Sequence, residues 1–440
     1  MNHFFVAGFD FGTSYSKVVL RDQLTKLGKA VTFGSEGEGL FPSFVWCDGK
    51  RVGSPLGQPF GERVPYLKLM AADSTTGRQE YQALYETSLK ALPGANLLLT
   101  AFFASAISEI LEFIANDSEW DDFDRRQDIL VIQLAVPTGM MDGRNSSLEQ
   151  LMKDALKAAY LLVEQGLPSA PISLQILRTV WDEVSKPNSP EGIRLDQLCG
   201  IYPEVAAGVQ TILRSRSSPD GKYITMDVGA GTVDLNAFYY MSGRTGATRR
   251  LNYWSCKVVP LGCSRLPILH EDAGSHERTS GTLTKYQVQR ELGKAITTLM
   301  NKAFTYQPRI IVGDGGDPWS RSTHCYVFGG GARNWLYPES LRDKLSELKI
   351  GVPALYWLPQ PSEGFELPGD VDQFGRFAVA YGLSFHSANL EEVRLPSELQ
   401  TFREAYPDTW KTTAPPRYKP CICYSNPDCA RCGGTGFLYM

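Results

Sequence analysis

One pattern occurs twice in this chain and constrains its fold more than any other. The stretch FVAGFDFGTSYSKVVL (residues 5–20) is an apolar, strand-like run that stops at Asp10, kinks through Gly12, Thr13 and Ser14, and resumes as a second apolar run. YITMDVGAGTVDLNAFYY (223–240) does the same around Asp227, Gly229, Ala230, Gly231 and Thr232. Each reads as a buried β-hairpin with a polar tip. Two copies far apart in the chain predict two similarly built halves, as does a length of 440 residues, too great for one ordinary core.

Strand and helix signals alternate around the hairpins, the grammar of an α/β fold. SFVWCDGKRVG (43–53), DILVIQLAVPTGM (128–140) and ISLQILRTV (172–180) read as strands. Helical periods mark about 81–115, SSLEQLMKDALKAAYLLVEQ (146–165), about 285–303 and DQFGRFAVAYGLSF (372–385). IYPEVAAGVQTIL (201–213) reads as a helix entered near Pro203, where a missing N–H costs least. Lys186 to Glu191, with Pro187 and Pro190, reads as a surface loop, and VGDGGDPWS (312–320) as a glycine-rich one. A third glycine-rich tip follows in CYVFGGGARN (325–334), and TAPPRYKP (413–420) reads as a tether.

A profile of 43% apolar and 21% charged residues is that of a globular protein. The net charge of −4 offers no general attraction to nucleic acid or anionic membrane. NLLLTAFFASAISEILEFIA (96–115) is apolar enough to suggest a membrane span, but it carries Glu109 and Glu112 and is better read as a core helix. The first residues lack the basic and apolar regions of a signal peptide, so a cytoplasmic location is expected.

Glycine at a hairpin tip lets backbone N–H groups face a ligand with no Cβ in the way, a geometry that suits phosphate oxygens. Thr13, Ser14 and Thr232 add hydroxyl donors, and Lys17 could bring a cation. Asp10 and Asp227 would repel phosphate unless a cation sat between them, and Mg²⁺ suits such a place. A tight turn is the plainer reading of either tip alone. Two tips in matching contexts, with FGGGARN, favour the phosphate and Mg²⁺ reading.

These residues resemble the actin, Hsp70 and sugar-kinase superfamily of ATPases, most closely the Hsp70 nucleotide-binding domain. DFGTSYSKVVL resembles the first phosphate motif, DVGAGTVDL the second and VFGGGARN the adenosine motif. LAVPTGMMDGRNSSLEQLMKDA, IYPEVAAGV and GRFAVAYGL resemble further family segments, so that the likeness covers most of residues 4–386 in order. It implies an actin-like two-lobed α/β fold of duplicated ribonuclease-H-like halves: 1–218 as the first lobe, 219–366 as the second with a reduced outer part, and 367–390 as a helix returning to the first. A linker (391–420) and a tail (421–440) complete the expected organisation. The resemblance implies an ATP/ADP site in which Asp10 and Asp227 bind hydrated Mg²⁺. Gly12, Thr13, Ser14, Tyr15, Gly229, Ala230, Gly231 and Thr232 would cradle phosphates, and Gly329, Gly330, Gly331 and Arg333 would approach the adenosine. Glu204 falls where the family keeps a group near the attacking water; alternatively it is a helix-start glutamate stabilised by the dipole. Lys17 lies where actins carry a phosphate lysine, and Lys68 in YLKLM resembles the later Hsp70 lysine; Lys17 is preferred, and a solvated strand-edge charge is the other reading of Lys68. The adenine clamp has only Lys285, Arg290 and Lys294 as candidates, because the outer part of the second lobe is short.

Of nine cysteines, Cys421, Cys423, Cys429 and Cys432 crowd the tail, and CARCGGTG resembles half of an Hsp40 (J-protein) zinc repeat. Four thiolates make a closed tetrahedral Zn²⁺ site, with a redox pair or disulfides as the alternative. The expected use is docking an unidentified protein partner, with nucleic acid a poorer second and no membrane role. The leading functional expectation is an Hsp70-like ATPase switch without a peptide-binding domain. An actin-like filament protein, a small-molecule kinase and an inactive nucleotide sensor are the alternatives.

Overall fold

A computed structural model describes residues 2–34, 39–77, 92–141, 146–166, 171–214, 219–242, 249–266, 283–305, 323–350, 355–359, 361, 364–367, 374–399, 418–420 and 437–439. The fold is mixed α/β. The first hairpin is β1 (Phe4–Asp10) against β2 (Tyr15–Asp22), antiparallel, with Asp10 directly opposite Lys17. After β3 (Gly28–Ala30) and β4 (Phe41–Pro42) come β5 (Phe44–Cys47), β6 (Arg51–Gly53) and β7 (Glu62–Pro65), which with a later two-residue strand at Ile172–Ser173 form a small four-stranded sheet. Helix α1 (Leu67–Thr76) and the long α2 (Ala95–Asn116) follow. By length and composition α2 could cross a membrane, yet 72% of its most apolar window is buried within the molecule. The 81–115 expectation meets the described residues in α2; residues 78–91 lie outside them.

β8 (Ile129–Val136) lies parallel to β1, as the continuous apolar run requires of a strand covered on both faces. A single turn, α3 (Thr138–Met141), leads to α4 (Ser146–Glu164), whose Leu148, Met152, Ala155, Leu156 and Ala159 bury one helical face. The expected strand at 172–180 is corrected. Only Ile172–Ser173 (β9) pairs, and Leu174–Ser185 is helix α5. Ser173 caps it by accepting from the Ile176 amide, and Leu177, Val180 and Val184 bury a helical stripe. The loop expected at 186–191 is also shorter than read, because Pro190 opens α6 (Pro190–Leu195) behind a Ser189 cap. β10 (Cys199–Pro203) then runs parallel to β8, and the chain turns at Pro203 into α7 (Glu204–Gly208) and α8 (Gln210–Leu213).

The second hairpin is β11 (Gly221–Val228) against β12 (Val233–Met241), with Asp227 directly opposite Asp234. It is extended by β13 (Arg250–Val259), antiparallel to β12, and, after helix α9 (Lys285–Thr305), by β14 (Thr323–Phe328), parallel to β11. Helix α10 (Leu336–Glu347), β15 (Leu355–Tyr356), β16 (Phe365–Glu366), α11 (Phe374–Leu383) and β17 (Glu392–Arg394) follow in the chain; β15 and β17 join this sheet, whereas β16 returns to pair with β3 of the first. β18 (Tyr418–Pro420) and β19 (Phe437–Tyr439) form a separate antiparallel ribbon.

The two large sheets share one plan. Strand order is β10-β8-β1-β2-β3-β16 in one and β15-β14-β11-β12-β13-β17 in the other. The pair relations match at every step: parallel, parallel, antiparallel, antiparallel, parallel. Each sheet has its own core on its outer face. A third core lies on the inner faces, where α7, α8 and α11 fill the space with Val205, Val209, Phe377 and Tyr381 against Tyr223, Phe238 and Tyr326. Full burial of such side chains contributes about 1.5–3 kcal/mol each.

Candidate functional site

Side chains alternate along a strand, so Gly8 and Asp10 share the inner face of β1, and Thr225 and Asp227 share that of β11. Gly8 lies against the Ala380 carbonyl of α11, which fixes that direction. α7 and α11 start beside the hairpin tips, with Glu204 and with Gly375, Arg376 and Val379 lining the space, and the two carboxylates face one cavity of about 280 Å³. The tips themselves touch: a Cβ on Gly231 would lie 2.7 Å from Thr13, a distance that only glycine permits.

Asp10, Gly12, Thr13, Ser14, Tyr15 and Lys17 line this cavity from the first hairpin, and Asp227, Gly229, Ala230 and Thr232 from the second. Among the described residues, the amides of Thr13, Ser14, Ala230 and Gly231 donate to no protein acceptor, which leaves them for a ligand. Gly329, Gly330 and Gly331 form a third wall. Gly329 has φ +91°, and a Cβ there would sit 2.1 Å from Asp227 Oδ1, so the third tip closes directly over that carboxylate. Arg333 lines an adjoining cavity of about 700 Å³ that shares Gly329, Gly330, Gly375 and Arg376 with the first.

Two lysines face the carboxylates. Lys17 Nζ is 2.9 Å from Asp10 Oδ2. Lys68 is not a solvated strand-edge charge: it is buried in α1, with Nζ 3.0 Å from Glu204 Oε2 and 3.3 Å from Oε1. Burial works against the Lys68 ammonium, but Glu204, Asp10 and Asp234 together hold its pKa above the ordinary lysine value. Glu204 opens α7, and burial raises its carboxyl while Lys68 opposes the rise. Burial lifts Asp227 well above the usual range, helped by Glu204, Asp234 and Asp10.

Sequence reasoning passed over Asp234. Its carboxyl is buried opposite Asp227 and pushed up to about 8 by desolvation and by Glu204. Oδ2 lies 3.4 Å from the Thr232 hydroxyl, and Oδ1 is buried with no hydrogen-bond partner. The signal was available: Lys17 and Asp234 stand at the same offset from their tip carboxylates in the repeated pattern. Cys263, Gly375, Arg376 and Val379 also line the cavity and were not singled out. Lys285, Arg290 and Lys294 line neither cavity; Arg290 and Lys294 pair with Glu291.

Four acidic side chains against Lys17, Lys68 and Arg376 leave the chamber with an acidic excess that favours a cation. Like charges opposite each other in a hairpin are destabilising, so the Asp227–Asp234 pair fits a cation better than an empty turn. Among the described residues no three His, Cys, Asp or Glu side chains converge to hold a metal alone. A hydrated divalent ion sharing its shell with phosphate oxygens fits this donor set, because Mg²⁺ keeps several waters and needs few carboxylates. Cys421, Cys423, Cys429 and Cys432 lie outside the described residues.

The fold and this site together define a mixed α/β protein with an acidic, glycine-walled chamber between two sheets of matching topology. No protein-family model matches the chain, and no curated protein matches it.

Proposed function

We propose that the chain is an actin- and Hsp70-like ATPase, two lobes of ribonuclease-H-like topology closing on ATP or ADP, which works as a switch on a partner protein. The observation that carries this reading is the meeting of two topologically equivalent hairpin tips around Asp10 and Asp227 in one chamber. Bound Mg²⁺ would neutralise phosphate charge and orient the terminal phosphoryl group. Asp10 and Asp227 would hold the hydrated metal. The amides of Thr13, Ser14, Ala230 and Gly231 donate to phosphate oxygens, and Lys17 adds a cation at the first tip. Lys68 fixes the Glu204 carboxylate at the start of α7, where it orients the attacking water and accepts its proton. Hydrolysis then releases the pull that joins the two tips.

The tail is proposed as a Zn²⁺ knuckle of Cys421, Cys423, Cys429 and Cys432 that docks the partner. Pairing of Tyr418–Pro420 with Phe437–Tyr439 supports it, because this ribbon brings together the two ends of the cysteine-bearing segment.

Calorimetry and phosphate release test the ATPase reading. Wild-type protein is expected to bind MgATP and release phosphate, and Asp10→Ala to lower turnover by about 100-fold while melting as a folded protein. Absence of any heat with MgATP, or undiminished turnover in Asp10→Ala, sinks it.

A further inference from the structure

We infer that Lys17 is a guard on Asp10: its ammonium holds that carboxylate so that a divalent cation alone does not bridge the two hairpin tips, and it yields the carboxylate when phosphate oxygens arrive. This rests on the nucleotide reading of the chamber and deepens it.

The hairpin register puts Lys17 directly opposite Asp10, and the pair is largely shielded from water, with side chains 15% and 6% exposed. A cation that is to reach Asp10 must displace an ammonium already there, and parting a shielded ion pair leaves a charge uncompensated. The second tip carries no such guard. Asp227 faces Asp234 across its hairpin, and Asp234 Oδ1 is buried without a hydrogen-bond partner. Unguarded acids on both tips would let any divalent cation draw the halves together, since a ligand that binds one form better shifts the population toward it. With Lys17 in place, only a ligand that also offers the ammonium a new partner can join both tips.

Lys17 is placed to make that exchange and Lys68 is not. Lys68 Nζ is held by both oxygens of Glu204, and its stem is buried in α1. Among the described residues Lys17 Nζ makes one hydrogen bond, to Asp10 Oδ2. A Cβ on Gly12 would lie 3.4 Å from Lys17 Nζ, so the ammonium sits against the turn whose Thr13 and Ser14 amides are left for a ligand. A phosphate oxygen bound by those amides comes within reach of Nζ, and the flexible lysine stem lets the charge change partner. Asp10 is then released to the hydrated metal that arrives with the phosphates.

Two titrations of the nucleotide-free full chain test this: Mn²⁺ alone, read from loss of its paramagnetic resonance signal on binding, and MgATP, read by calorimetry. Lys17→Met keeps an unbranched stem and removes the charge. It is expected to bind Mn²⁺ about tenfold more tightly than wild type and MgATP about tenfold more weakly, whereas Lys17→Arg, which keeps the charge, should bind Mn²⁺ as weakly as wild type. A merely structural lysine would weaken both ligands together. Mn²⁺ affinity that is unchanged or lowered in Lys17→Met overturns the inference, as does Mn²⁺ binding by Lys17→Arg as tight as by Lys17→Met. Undiminished MgATP affinity in Lys17→Met overturns the passage of the ammonium to phosphate. Should Lys17→Met not fold, Lys17→Gln decides by the same two readings. Wild-type protein that does not bind MgATP refutes the nucleotide reading, and the Mn²⁺ comparison then decides by itself whether Lys17 guards Asp10.

Discussion

The two hairpins differ in charge at the pair beside each tip. Opposite Asp10 stands Lys17, a neutralising partner; opposite Asp227 stands Asp234, a second acid. The second hairpin therefore carries an electrostatic penalty that a bound cation would offset. Because the Asp234 carboxyl is raised from 3.8 to about 8, the folded chain holds a proton that the unfolded chain has already released. Stability from this group is present below about pH 4 and is lost as pH rises toward 8. Without metal or nucleotide, Asp234→Asn is thus expected to be more stable than wild type by ~1–2 kcal/mol at pH 8, since each tenfold change in proton affinity is worth ~1.4 kcal/mol and the neighbouring acids share the titration. The gap should close near pH 4, as followed by urea denaturation across pH; a gap that does not vary with pH would contradict it. Asp10, Asp227 and Glu204 could be picked out in the sequence because each ends a strand or starts a helix beside small residues. Asp234 could not be picked out by type, since it occupies an ordinary position within a strand. Only the hairpin register, legible in the sequence as the offset Asp234 shares with Lys17, reveals that it faces Asp227.

At the scale of elements, α11 joins the halves. It packs on β1 and β2, on β14 and on α7, and its residues from Phe377 to Leu383 are all buried. Such closeness depends on small residues: a Cβ on Gly382 would lie 1.9 Å from the Ala207 carbonyl oxygen of α7. Gly382→Ala must push the two helices apart, and overpacking of this kind costs ~2–3 kcal/mol. A lower melting temperature with an unchanged circular dichroism spectrum is the expected result, and a shift under about 1 °C would show that the contact gives easily. Long periodic elements were legible in sequence: 146–164, 285–305 and 374–383 each carry a sustained helical stripe. Leu174–Ser185 was not, because ISLQILRTV is short, apolar and partly β-branched, and its helical period emerges only with Val184. The start of α1 was hidden for a different reason. Tyr66 enters it at φ 57° with no side-chain cap, so no residue signals that Lys68 belongs to a helix, still less that it reaches Glu204.

Across the whole molecule, the two sheets share a third core at their base and meet again at their tips, where Thr13 lies against Gly231. Between these contacts lies the chamber, whose acids repel one another. A body that is firmly packed below and touches lightly above can open and close about its base, and a ligand that bonds to both tips favours closure. The tip contact is thus where the coupling of ligand to shape can be tested without touching any charged group. Gly231→Ala places a methyl 2.7 Å from the Thr13 side chain, so the tips must separate by a fraction of an ångström or Thr13 must turn. The base core is untouched, but Gly231 and Thr13 are both buried, so the ligand-free protein should lose ~1–3 kcal/mol to overpacking while remaining folded. On the proposed nucleotide reading MgATP would bond to both tips at once, and each strained or lost hydrogen bond to a charged oxygen costs ~1.5–3 kcal/mol. Its affinity in Gly231→Ala should therefore fall by roughly 10- to 100-fold in calorimetric titration. Thr13→Gly removes the obstructing side chain, so the double variant Gly231→Ala/Thr13→Gly should recover part of that affinity although Thr13→Gly alone loses a hydroxyl donor. Recovery would mean that spacing between the tips governs binding. Additive losses in the double variant would mean that the tips act separately and that closure across them is not part of how this protein holds its ligand.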